Sequence, residues 1–454
     1  MIYIGVLILY LGLLVFIGVI TQKRIKTHEG FALGGREVGP WVTAFSFVAA
    51  YFSSVVIVGG GGFGYKFGMS TIWIGTANVL LGCALAWIVL AKRIREHTQK
   101  LNAISVPDLF AKHYKDEFVR KFSAWVIVIF MLVYNISILK GTGNMFQVLM
   151  NLDYKVGVLL SAIVMIFYVA LGGYLAVVWT GFLQAWVMIF GLLLLLSVVL
   201  HKGGGFALSH IKLQALNPGF VSTPGVWNLG ELISFALVVS FGVWGMPQLV
   251  VRFYSIKSTK VIKIATVLAT IGGSLAIIPY FTGALGRIFY PNLLDADLII
   301  PTLVKNLLST WGGAVFLACV IAAGMSTFSS VLIIISTSIV HDILKLKGEE
   351  ALKFNKVFTI IAGLISLGLA LKPPALILVI CAFAWGAISS TCLWPILFTV
   401  YGKVNPKSIR WSMIFGLATA LIWQILKPVK LHGFIPGIVV ALLVIGLFPR
   451  QGDF

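Results

Sequence analysis

The side chains able to hold or move charge are few, and their placement narrows the chemistry. Of 454 residues, fourteen are acidic. Glu29, Glu37, Glu96, Asp108, Asp116, Glu117, Asp342, Glu349, Glu350 and Asp453 fall in one set of connecting segments. Asp153, Glu231, Asp295 and Asp297 fall in the opposite set. None is expected midway along an apolar run, where a proton pump needs a titratable group. No paired carboxylates and no His–Cys cluster show catalytic or metal-ligand spacing. Cys83, Cys319, Cys381 and Cys392 all lie in apolar runs, and the seven histidines lie in loops or at helix ends. An enzyme would lack catalytic groups.

Neutral oxygens offer a different chemistry. A hard cation such as sodium can be held by about five carbonyl and hydroxyl oxygens without any carboxylate. In the segment 321–330, Ala323, Ser326 and Thr327 stand at i, i+3 and i+4, on one helix face. The same spacing lets Thr327 bond back to the carbonyl four residues earlier, with no ion at all. Lys140 is the second unusual feature. Ser137, Lys140, Asn144 and Gln147 form a polar stripe in an otherwise apolar run. No acidic partner is expected at the depth of Lys140, so two readings stay open. Its ammonium snorkels to the headgroups, or it meets the carboxylate of a bound solute.

The elements that must position these residues are membrane helices. Hydrophobic residues are 59% of the chain, charged residues 11%, and mean hydropathy is +1.03. A soluble chain of this length needs far more charge to cover its surface. Apolar runs of bilayer length follow one another at 2–22, 40–64, 70–91, 122–150, 156–172, 178–200, 231–251, 262–286, 308–341, 356–372, 375–401, 409–426 and 431–448. The first is read as a retained helix, because it lacks a basic n-region and is followed by Lys23-Arg24 rather than a cleavage site. If the runs alternate in direction, one set of loops holds 24 of the 34 basic residues and the other nine, with Lys140 inside a span. That asymmetry predicts the amino terminus outside and the carboxyl terminus in the cytoplasm. The formal charge of +20 is therefore topology and not nucleic-acid binding.

Two runs are poor continuous helices. The run 40–64 contains Ser53, Ser54 and Gly59 to Gly62; the run 231–251 contains Ser240, Gly242, Gly245 and Pro247. Broken backbone in a membrane is tolerated where it lines a cavity or is buried in protein. The breaks fall five runs apart, so they cross in opposite directions, as in inverted-repeat transporters. Close packing of glycine helices is the plainer explanation.

The sequence resembles the sodium/solute symporter family over nearly its whole length. The likeness rests on Leu33-Gly34-Gly35-Arg36, on Leu171 to Thr180 (LGGYLAVVWT) followed by Leu183-Gln184, and on Ala323 to Thr327 with His341-Asp342-Ile343. The resemblance implies an all-α membrane protein of the LeuT type. One leading helix (2–22) precedes a five-helix repeat (40–200), an inverted five-helix repeat (231–401) and two further helices (409–448), about 13 in all. It also implies a sodium site made by the carbonyls of Ala49, Phe52 and Ala323 and the hydroxyls of Ser326 and Thr327. Two departures stand out. Tyr51 occupies a position where proline permeases carry an aspartate, and Gly181 replaces an aspartate common after Trp179-Thr180. One sodium per substrate is the expectation.

For the solute, the resemblance points to Tyr51, Ser53, Ser54, Gly242, Val243 and Trp244, with Lys140 as a candidate partner for a carboxylate. Val55, Val56, Val239 and Val243 are poor partners for a sugar, whose specificity needs many hydrogen bonds. The expectation is a plasma-membrane symporter importing a monocarboxylate or a small amino acid such as proline. The rivals are an uncoupled or proton-coupled carrier on the same fold, or a sensor or channel that has lost transport.

Overall fold

The computed structural model describes residues 1–22, 38–402 and 404–448. The Leu33–Arg36 motif lies outside them. All regular structure among the described residues is helical, apart from a single bridge between Val38 and Ile256. Among the described residues, eight helices are long and apolar enough to cross a membrane, or nine if the bent pair Leu229–Gly245 and Pro247–Tyr254 is one span. Three shorter apolar helices, Ile2–Ile17, Tyr154–Phe167 and Phe434–Gly446, accompany them. The expected separate runs 156–172 and 178–200 lie on one helix, Tyr154–Gly203. Their boundary carries Gly172 and Gly173 but no proline or cap that would stop a helix.

Both expected interruptions are present, and they share one geometry. Pro40 opens the first helix at the position where a missing N–H costs nothing. That helix ends at Tyr51, and Phe52 adopts φ −77°, ψ 108°. The chain resumes through a wide turn, Val55–Gly59, into Gly60–Phe67. In the second interruption Met246 adopts φ −81°, ψ 112°, and the two halves bend by 42°. Pro247 is the cause there, because its ring disfavours helical torsions at the preceding residue. The break falls at Met246, just beyond the expected Gly242–Gly245, which remains helical.

The glycines of the first broken helix serve close approach. A side chain on Gly64 would overlap the carbonyl of Tyr280, and one on Gly283 would overlap the carbonyl of Gly61. Helices Gly60–Phe67 and Ile277–Phe289 therefore cross backbone on backbone. At the centre runs Thr310–Thr337, buried from Phe316 to its end. It packs on the first broken helix, on Glu117–Met150 and on Tyr154–Gly203. Gly64→Val should lower thermal stability by at least about 1–3 kcal/mol, the usual cost of overpacking a core. Unfolding in detergent would show it, and a wild-type melting temperature would refute the crossing.

Candidate functional site

The first break releases carbonyls. The N–H of Phe52 closes the last turn on Val48 O at 2.8 Å. The next two carbonyls, of Ala49 and Ala50, have no backbone donor among the described residues. The central helix supplies donors instead. Ser326 Oγ donates to Ala49 O at 2.6 Å and to Ala323 O at 3.0 Å. Thr327 Oγ1 donates to Ala50 O at 3.3 Å, across to the broken helix rather than back along its own. All of these residues are buried, as is Phe52.

Of the five expected sodium ligands, Ala49 O, Ala323 O and Ser326 Oγ thus meet directly, with Thr327 one carbonyl along. The donor set suits sodium: uncharged oxygens, from a helix end and from hydroxyls whose protons can rotate away. Gly181, on Tyr154–Gly203, packs against Ser46 and Ala49 of the same broken helix. The lost aspartate would therefore have stood beside this group.

A small cavity opens on the other side of the break. Tyr51 and Ser53 line it. Val55, Val56 and Val239 line it too, with Leu378, Cys381 and Ala276 completing an apolar wall. Its remaining polar groups are Asn78, Tyr134, Tyr280 and Trp385, none of which was singled out from sequence. Tyr134 stands three residues before Ser137 and so extends the polar stripe by one turn. Asn78 is the polar interruption of an apolar run; its amide donates to Val239 O, and its carbonyl accepts from Tyr51 at 2.6 Å.

The other expected solute contacts face elsewhere. Ser54 Oγ donates to Ile138 O at 2.7 Å. The carbonyl of Gly242 accepts from Ser389 at 2.6 Å, and Val243 is buried away from the cavity. Trp244 donates its indole N–H to Leu81 O at 2.9 Å, so the tryptophan over the cavity is Trp385. The sequence pattern located the broken helix but not the rotation of its side chains.

Lys140 requires a correction. It has an acidic partner: Nζ donates to Asp297 Oδ2 at 2.7 Å and to Ala375 O at 3.1 Å. Asp297 was expected in an outer loop. A short turn, Ala296–Leu298, instead carries it inward ahead of helix Ile299–Leu307, and it is fully buried. The same Oδ2 accepts from Ile377 N at 2.9 Å, next to the cavity residue Leu378. The pair therefore pins three segments together at one end of the cavity. It fits neither a headgroup nor a solute contact for Lys140.

A second ionic group ties the cytoplasm-assigned segments. Arg120 reaches Asp108 at 2.7 Å and Asp342 at 3.3 Å, Ser105 donates to Asp342 at 2.8 Å, and Lys112 lies 2.8 Å from Asp108. Asp108, His341 and Asp342 come close enough to suggest a metal site. The guanidinium between the carboxylates makes it an ion-pair network instead. Burial alone would push the Asp108 carboxyl up, but hydrogen bonds and charge from His341 and Lys112 outweigh it and bring it down to about 2. The resulting stabilisation is complete above the ordinary carboxylate range and is lost as pH falls toward 2.

The sodium:solute symporter family model matches residues 31–416. The osmoregulated proline transporter OpuE of Bacillus subtilis (strain 168) is 29% identical over 456 residues, covering 96% of this chain and 92% of that protein. The sodium/proline symporter of Staphylococcus aureus (strain JH9) is 29% identical over 467 residues, covering 96% and 90%. Among solved structures, the substrate-bound outward-open state of a Na+-coupled sialic acid symporter superposes with a TM-score of 0.84. Its identity is 19%, over 100% of this chain and 99% of that one. MhsT in complex with L-phenylalanine gives a TM-score of 0.58 at 13% identity, over 90% and 98%. At such identities these two establish the fold, which is of the LeuT type.

The ion pair makes a direct prediction. Lys140→Met or Asp297→Asn alone should destabilise the protein by about 3–5 kcal/mol, because each strands a buried charge or its partner. The double variant should recover most of that loss in thermal unfolding. Additive losses would show that the two side chains do not depend on each other.

Proposed function

This chain belongs to the sodium:solute symporter family, and from that premise we propose that it imports a monocarboxylate or a small amino acid such as proline, one sodium per solute. Sodium is the coupling ion, and the chain is a multi-pass plasma-membrane transporter rather than an enzyme. The observation that carries the sodium reading is the junction of Ser326 and Thr327 with carbonyls freed by the first break. Loss of the aspartates at Tyr51 and Gly181 supports a single ion.

The solute reading rests on two supports. Both relatives named above are proline transporters. The cavity offers neutral polar groups and aromatic rings among valines, too few hydrogen bonds to specify a sugar. Tyr51, Ser53, Tyr134 and Trp385 are the side chains we assign to the solute. The proposed topology is about thirteen helices in a five-plus-five repeat, amino terminus outside.

Transport follows by alternating access. Sodium ties the first broken helix to the central helix and so favours the state that binds solute. The solute binds across the break, the outer side closes over it, and one bundle then rocks on the other. Each sodium entering gains its concentration gradient plus about 2.3 kcal/mol per 100 mV of membrane potential.

Proteoliposomes loaded without sodium provide the test. Labelled proline, lactate, acetate, pantothenate and glucose would be offered with and without an inward sodium gradient. Uptake of one carboxylate or amino acid, driven by sodium and reduced at least about tenfold in Ser326→Ala/Thr327→Ala, is the expected result. Uptake of glucose alone would refute the solute class. Uptake indifferent to sodium and to both hydroxyls would refute the ion site.

A further inference from the structure

Arg252 is fully buried in the second half of the second broken helix, Pro247–Tyr254. No acidic side chain pairs with it among the described residues. Its Nη2 donates to Ser330 Oγ at 2.7 Å, and the ring of Tyr174 lies 5.1 Å from its guanidinium carbon. Nε and Nη1, with three N–H bonds between them, have no acceptor. One turn earlier on the same face, Gln248 is 2% exposed, and neither its amide nitrogen nor its amide oxygen has a partner. A cation buried in a membrane protein without a counter-charge is costly to keep and marks a functional position.

Its surroundings indicate what it serves. Ser330 donates to the carbonyl of Ser326 at 2.8 Å, so the guanidinium stands two hydrogen bonds from the sodium-site serine. A second positive charge beside an arriving sodium is tolerable only if an anion accompanies them. Arg252 lies toward the side that the basic-loop asymmetry assigns to the cytoplasm, and it does not line the central cavity. Its planar fork matches a carboxylate, and the Gln248 amide adds a neutral donor beside it.

We propose that Arg252 and Gln248 form an inner anion subsite that receives the solute's carboxylate as it leaves the central cavity for the cytoplasm. This rests on the reading above that the solute carries a carboxylate. It gives the departing anion a counter-charge at the moment the sodium site opens.

The test is thermal unfolding of the purified full chain in detergent, with sodium methanesulfonate as background salt. Acetate, its neutral isostere acetamide, or chloride would be titrated in. Acetate should stabilise the wild type and acetamide should not. Arg252→Gln should weaken the apparent acetate affinity at least about tenfold, as expected for one lost charge-assisted contact. Arg252→Lys keeps the charge without the fork; it should fall between the two and serves if the glutamine variant does not fold.

An acetate response unchanged in Arg252→Gln would overturn the subsite. Equal stabilisation by chloride would also overturn it, assigning the position to inorganic anions. A sodium midpoint shifted in Arg252→Gln as far as in Ser326→Ala would make Arg252 a strut of the ion site instead. The sodium midpoint of Ser326→Ala tests the symport reading separately, so the two can fail independently.

Discussion

The structure depends on satisfying backbone groups released where two helices are interrupted in an apolar interior. An unpaired carbonyl buried away from water costs roughly as much as a lost hydrogen bond. At the first break, the carbonyls of Ala49 and Ala50 are taken up by hydroxyls from a helix 277 positions away in sequence. At the second, Ser389 accepts the same duty toward Gly242. Each break thus fastens its helix to a partner through a few hydrogen bonds from hydroxyls. A continuous helix would not offer that attachment.

Close packing and charge pairing stabilise what the breaks weaken. Gly64 and Gly283 let two helices touch through their backbones, which fixes the half-helix Gly60–Phe67 in place. Asp297 holds Lys140 and the N–H of Ile377 at one end of the cavity. Arg120 gathers Asp108 and Asp342, away from the cavity lining. Buried pairs of this kind contribute modestly to net stability, since desolvation offsets their attraction. Their value is geometric: separating the segments they join means stranding a charge.

Much of this was legible in the sequence because it follows from composition and period. Apolar length pointed to the spans, Ser53-Ser54 and Pro247 stand at the two breaks, and the i, i+3, i+4 spacing put Ala323, Ser326 and Thr327 on one face. What could not be read was rotation and long-range approach. Trp244 and Trp385 are equally plausible lids on paper; only packing turns Trp244 toward Leu81 and Trp385 over the cavity. Asp297 reads as a loop residue because its short turn lacks the length of a span, yet tertiary structure carries it 157 positions back to Lys140. Of the solute residues the resemblance pointed to, Tyr51 and Ser53 line the cavity, while Ser54, Gly242, Val243 and Trp244 do not.

The distribution of charge now has a consistent physical form. Where a buried charge must hold elements together it is paired, as at Lys140 and Arg120. Where Ser326 and Thr327 meet the carbonyls of the first break the oxygens are neutral, and a carboxylate there would hold a cation more tightly and release it more slowly. Gly181 extends that logic, since it packs against Ser46 and Ala49 without adding a charge. Arg252 breaks the pattern as a buried cation with no acidic partner among the described residues, bonded to Ser330, which lies one turn along the central helix from Ser326. A protein that pairs every other buried charge among its described residues leaves this one free for a ligand that carries the opposite sign.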